Sequence, residues 1–164
     1  MTFQEIKELI IQEFGADVVV AENISGLQPI LTIIKDKLPL VAKFLWINDK
    51  TFFDYLSCIT AIDNLKAGMI EVIYNFYSIP YNHHFTLRVE TSRGDENNLP
   101  KIPTLSDLYK TANWHEREAF DLLGVVFEGH PDLRRILLPA DWEGYPLRKD
   151  YKEQEYYHGI KVAY

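Results

Sequence analysis

Apolar positions recur at helical spacing from the start of the chain. Phe3, Ile6, Ile10 and Phe14 form one stripe, Thr2 and Glu5 are placed as a capping box, and Gly15 is a stop. Residues 16–21 and 30–35 are rich in Val and Ile and read as strands, separated by a polar turn with Asn23, Ser25, Gly26 and Pro29. A second helix is predicted from about Asp36, with Pro39 in its first turn and Leu40, Val41, Phe44 and Leu45 on one stripe. Three strands follow, at about 53–62, 70–78 and 84–91. The last alternates, with Phe85, Leu87 and Val89 on one face and Thr86, Arg88 and Glu90 on the other, as in a sheet with one wet face. Short links containing Gly68 and Pro80 make antiparallel hairpins the simple connection. After a turn-rich stretch at 91–103, a helix is predicted over 104–112, with Thr104 and Asp107 as a capping-box variant, and another over 114–123 ending at Gly124. This order predicts an α+β fold, a mainly antiparallel sheet with helices packed on one face. We divide the chain into an α+β domain over 1–124 and an extended C-terminal segment over 125–164.

Composition narrows the function. The chain has 164 residues and a net charge of −7, which argues against nucleic acid as the main partner, because phosphate binding needs a clustered positive field. A single cysteine excludes a disulfide framework and multi-cysteine ligation of an iron–sulfur cluster or structural zinc, and fits a reducing compartment. Pro29, Pro39 and interspersed charges interrupt every apolar run well short of the roughly 18 residues of a membrane span. The acidic, amphipathic start lacks the basic region of a secretory signal, so the expectation is a soluble protein on the cytoplasmic side.

The chemistry concentrates in residues 114–151, where 13 of 38 residues are charged and four of the six arginines lie. Arginine makes bidentate pairs with carboxylates and stacks on aromatic rings, so this run is suited to hydrogen-bonding an extended backbone. On a helix, Glu116 shares a face with Ala119, Phe120 and Leu123, while Arg117 and Asp121 lie opposite at i, i+4 with Glu118 and Trp114 beside them. Glu116 is either a helix-end acid near solvent or a buried acid held by Arg134 or Arg135; an unpaired buried charge would cost several kcal/mol. In Gly129-His130-Pro131-Asp132-Leu133-Arg134-Arg135, glycine suits a tight turn, and Pro131 and Asp132 suit a helix N-terminus. His130 is either a turn residue bonded to backbone or a partner-contact or proton-active group. Arg134 and Arg135, being adjacent, point to different faces, one inward and one outward.

This segment closely resembles the 30 kDa-type subunit of proton-pumping NADH:quinone oxidoreductase, respiratory complex I. The resemblance rests on Glu116-Arg117-Glu118, Phe120-Asp121 and Gly124, then on 129–135, and continues through Glu143-Gly144, Pro146-Leu147 and Arg148-Lys149-Asp150. A looser match, Phe53-Asp54-Tyr55-Leu56 into Thr60-Ala61-Ile62-Asp63 and a strand at 72–74, extends it over roughly 30–151. Two departures stand out: His115 where the family commonly has Tyr, and Tyr145 in a turn that usually reads Gly-His-Pro. The last residues, 156–164, match nothing in the family pattern. The resemblance implies a non-catalytic subunit of the hydrophilic arm, on the cytoplasmic face of the bacterial inner membrane. Flavin, iron–sulfur clusters and quinone are then held by partner subunits of complex I, and the chief contact is the neighbouring large subunit that helps form the quinone site. Residues 129–150 become a strap over partner subunits. The expected contact residues are Glu116, Arg117, Glu118, Asp121, His130, Asp132, Arg134, Arg135, Tyr145, Arg148, Lys149 and Asp150. Membrane-bound hydrogenases and cofactor F420-linked dehydrogenases carry the same domain and form the alternative.

Elsewhere, Cys58 reads as a buried structural thiol without cationic neighbours. His83 and His84, adjacent in a turn, point apart and make a poor metal pair. A competing class, a metal-dependent hydrolase using His115, Glu118 and His130, rests on the i, i+3 spacing of the first two.

Overall fold

In the computed structural model, which describes residues 1–95 and 97–162, α1 (Phe3–Phe14) begins with both halves of the capping box. The Glu5 N–H donates to Thr2 Oγ1 and the Thr2 N–H to Glu5 Oε2, at 3.3 and 2.8 Å. Ile6 and Ile10 are buried, and Gly15, at φ 90°, stops the helix. The first predicted strand is divided. Ala16–Val18 is a 3₁₀ turn, and β1 (Val19–Asn23) and β2 (Ile30–Ile33) form an antiparallel pair. In α2 (Leu38–Ile47) the buried stripe is Leu38, Val41, Ala42 and Leu45; Leu40, expected inside, is exposed. Phe44 lies against Phe14, edge to face at 5.6 Å.

The meander β3 (Tyr55–Asn64), β4 (Met69–Ser78) and β5 (His83–Ser92) is antiparallel throughout. β2 adds to β5 in parallel, Leu31 opposite Leu87, so the sheet order is β1-β2-β5-β4-β3 with β3 at one edge. Period two decides the faces. Ile70, Val72, Tyr74 and Phe76 of β4 are buried in one core with residues of all the helices, while Glu71, Ile73, Asn75 and Tyr77 face the other side. That side is laced by polar contacts. Arg88 Nε donates to Thr32 Oγ1 at 2.9 Å and its Nη1 to Glu71 at 3.1 Å, while Thr86 donates to Asn75 Oδ1 at 3.1 Å.

The helix expected over 104–112 is absent. Lys101–Pro103 is instead β6, parallel to β7 (Val126–Glu128). The following donors are taken from outside: the Thr104 N–H goes to Glu128 O at 3.0 Å and the Leu105 N–H to Glu116 Oε1 at 2.7 Å. One turn survives, closed by the Tyr109 N–H on Leu105 O at 2.9 Å. Beyond it the Tyr109 hydroxyl donates to Phe53 O at 2.7 Å and that of Thr111 to Leu56 O at 3.0 Å, which ties the segment to the start of β3. α3 (Ala112–Leu123) follows and ends in Gly124 at φ 72°. Pro131 and Asp132 start no helix either. The chain from 131 to 155 forms turns and extended stretches up to a small hairpin of β8 (Tyr156–Tyr157) and β9 (Ile160–Lys161). Glu96, in the turn-rich stretch, and Ala163 and Tyr164, at the end of the C-terminal segment, lie outside the described residues.

A candidate subunit interface on α3 and the C-terminal strap

α3 carries its charges inward. Asp121 is fully buried at the centre of a fan of donors. The Ile136, Leu137 and Leu138 N–H groups converge on its Oδ2 at 2.9, 2.6 and 3.0 Å, and Arg135 Nη1 meets its Oδ1 at 2.9 Å. Three successive amides aimed at one carboxylate form an anion-binding nest. Burial alone would raise the Asp121 carboxyl, but the hydrogen bonds from Leu137, Leu138, Arg135 and Ile136 hold it below its ordinary value. This explains why no helix grows from Pro131: the chain is held open by a side chain on α3.

Arg135 then ties the next stretch, donating from Nη2 to Trp142 O and Gly144 O at 3.2 and 3.0 Å. Its guanidinium lies 5.2 Å from the Tyr145 ring centre, and that of Arg148 lies 5.4 Å away. Tyr145 rests on Gly124, where a Cβ would come within 2.7 Å of the ring, so this glycine serves both the left-handed cap and the close approach. Arg148 Nε donates to Leu123 O at 2.8 Å, supplying one of the orphan carbonyls at the end of α3, and the Leu147 N–H takes Leu122 O at 3.0 Å. Farther along, the Lys149 N–H donates to Asp63 Oδ2 at 2.8 Å. Arg93 grips Asp63 with two bonds, at 2.7 and 3.0 Å, and also bonds Asp150. Burial pushes the Asp63 carboxyl up, and Arg93 with the Lys149 N–H brings it below the usual range.

Glu116 has a different environment. It is fully buried and accepts from the Leu105 N–H and the Thr104 hydroxyl, with His130 Nε2 at 4.0 Å. Neither reading of the sequence holds in full, because Glu116 is buried but no arginine holds it: Arg135 serves Asp121, and Arg134, with a side chain 74% exposed, bonds Asp132 at 3.0 Å. Burial raises the Glu116 carboxyl to about 7 against the two hydrogen bonds that favour its anion. The imidazole of His130 is fully buried. Its Nδ1 accepts the Asp132 N–H at 3.0 Å and its Nε2 faces Asn113 O at 3.1 Å, which fixes the Nε2–H tautomer and the backbone-bonded role.

Arg117 and Asp121, one helical turn apart, do not pair. Arg117 lies 4.9 Å over Trp114 and donates to Arg134 O at 3.2 Å, with Asp132 at 3.9 Å. The expected split of the two adjacent arginines is observed, and the structure makes Arg134 the outward one and Arg135 the inward one. Apart from Glu116, which is buried against residues 104–105, the twelve residues separate into a group that holds the strap to α3 and a group whose charges reach solvent: Glu118, Asp132, Arg134, Lys149 and Asp150. Asp63 and Arg93 complete the clamp; no spacing rule connects them to their strap partners, Lys149 and Asp150, which lie more than fifty residues away.

His115, Glu118 and His130 do not assemble as ligands. Among the described residues no group of three His, Cys, Asp or Glu side chains is placed to hold a metal. Cys58 is half-buried rather than buried, and accepts from Asn75 Nδ2 at 3.1 Å. No helix among the described residues is long and apolar enough to cross a membrane.

The family model described as "Respiratory-chain NADH dehydrogenase, 30 Kd subunit" matches residues 31–157. An NADH-quinone oxidoreductase subunit of Chloroherpeton thalassium is 45% identical across 100% of this chain, which spans 65% of that relative's length. Its counterpart in Chlorobium phaeobacteroides, likewise an NADH-quinone oxidoreductase subunit, is 41% identical over 96% of this chain and 93% of its own length. Among solved structures, a chain of an archaeal membrane-bound sulfane sulfur reductase superposes with a TM-score of 0.73 at 25% identity, covering 91% of this chain and 85% of its own. A trypsin-resistant fragment of Nqo5 does so with a TM-score of 0.60 at 28% identity, covering 78% and 99%. The chain belongs to the family of the respiratory-chain NADH dehydrogenase 30 Kd subunit.

Proposed function

We propose that the chain is a non-catalytic scaffold subunit of the peripheral arm of respiratory complex I, supporting electron transfer from NADH to quinone coupled to proton translocation. The observation that carries this reading is the two-sided use of charge around α3. Asp121, Arg135 and Arg148 are consumed in holding the strap in place, and the strap's remaining charges face outward. That arrangement serves docking. In this reading flavin, iron–sulfur clusters and quinone are held by partner subunits. The chief partner is the neighbouring large subunit that helps form the quinone site. It is met by the outward charges Asp132, Arg134, Lys149 and Asp150, and by Glu118. The subunit sits peripherally on the cytoplasmic face of the bacterial inner membrane, which it reaches only through its neighbours in the complex.

A second reading, the equivalent subunit of a hydrogenase-like or F420-linked complex, is favoured by the superposition on the sulfane sulfur reductase chain. Affinity purification of the tagged chain from gently solubilised native membranes separates the two. Flavin, iron and NADH:quinone activity are expected to co-elute with it. Iron without NADH oxidation would favour the second reading, and a lone 19 kDa chain would contradict both.

A further inference from the structure

Beside the strap runs a groove of about 240 Å³ that none of the contacts above occupies. One wall is four consecutive β3 residues, Cys58 to Ala61, and the other is formed by His115, Glu118, Ala119, Leu122 and Leu123 of α3 with Leu147 of the strap. A groove against one face of a strand touches every second residue; one touched by four in succession runs along the strand's edge. Among the described residues β3 pairs only with β4. Among the described residues, the outward backbone has one partner near its start, the Thr111 hydroxyl on Leu56 O, and none from Ser57 to Ile62.

Such an edge is a template for another strand, and proteins normally blunt it with lysine, proline or an inward-pointing charge. β3 has no lysine, arginine or proline, and its only charge, Asp63, is engaged by Arg93. The irregularity between Leu56 and Cys58 leaves Cys58 onward in regular register. Exposed apolar side chains continue the groove: Leu147 in its wall is 55% exposed, and Ile62, at the next position along β3, is 41% exposed.

We infer that the β3 edge is a second docking surface, which takes an extended segment of a partner polypeptide as a sixth strand of the sheet. This rests on the reading of the chain as an assembled subunit. The segment is apolar toward Leu122 and Leu147 and basic where it passes Glu118, the acidic group in the groove's lining. Charge disfavours a second copy of this chain as occupant. Pairing β3 with β3 would bring two molecules of net charge −7 together with their Glu118 carboxylates on the shared seam.

Hydrogen exchange read residue by residue tests this on the isolated chain and on the intact native complex. Strand addition slows alternate amides between residues 58 and 62 at least tenfold in the complex only. The double substitution Thr60→Lys with Ile62→Lys, at exposed positions, weakens incorporation at least tenfold while the isolated chain keeps its melting temperature. Unprotected amides in an intact complex would overturn the inference and leave the subunit reading standing. Protection in the isolated chain that rises with its concentration would overturn it in favour of self-pairing. A chain that enters no complex would overturn both.

Discussion

Asp121→Ala lowers the stability of the isolated chain by about 3–5 kcal/mol, the usual result of removing one partner from a buried ion pair. The substitution strips three amide donors and the Arg135 guanidinium of their common acceptor at once. Arg135, with a side chain 15% exposed, is left as an uncompensated charge beside the Tyr145 ring. The strap escapes that penalty only by leaving α3, so residues 136–151 lose hydrogen-exchange protection together. Chemical denaturation with residue-resolved exchange reads both effects. A loss under about 0.5 kcal/mol, the size of an ordinary surface change, would show that the fan of hydrogen bonds does not hold the strap. The same carboxyl gives an acid limit. Because folding depresses its pKa below 3.8, its contribution is complete above that value and is lost as pH falls through the folded-state pKa.

Glu116 has the opposite sign. Its carboxyl titrates at about 7 in the fold, against 4.5 for an unperturbed glutamate. Between those values the unfolded chain has released the proton and the native chain keeps it, so stability falls as pH rises. A displacement of this size, at about 1.36 kcal/mol per pH unit, removes about 3 kcal/mol between pH 4.5 and a little above 7. Glutamine at 116 still accepts from the Leu105 N–H and still reaches Thr104, but carries no charge to bury. Glu116→Gln is therefore more stable than the parent at about pH 8 by about 2–3 kcal/mol, and the advantage vanishes near about pH 5. Denaturation at the two pH values checks this. An advantage independent of pH would mean that the native site already holds the anion.

The contrast between these two acids marks where the sequence is legible. Both lie on one predicted helix, and both stand out by the density of charge around them. Their partners do not, because partnership here is set by the path of an irregular chain. Arg135 is 14 residues from Asp121, and Thr104 is 12 from Glu116. Local pattern succeeds where local physics decides: the capping box and apolar stripe of α1, the alternation of β5, and the glycine ending α3. It fails over 104–112 because a carboxylate from α3 takes the Leu105 N–H and side chains pin the segment to β3. The parallel pairings of β2 with β5 and β6 with β7 join distant segments that share no turn, so no local pattern announces them. Adjacent Arg134 and Arg135 are separable from backbone geometry alone, though the identity of each partner is not.

In the proposed function the strap's outward charges meet a partner while its inward charges hold it in place. The test puts a photo-crosslinking residue at position 134, whose side chain bonds only Asp132 among the described residues and stands out from the strap. Irradiation of the intact native complex is expected to yield an adduct between this chain and the subunit that lines the quinone site. Adducts confined to the chain itself, in a complex that retains its iron and NADH oxidation, would contradict the account.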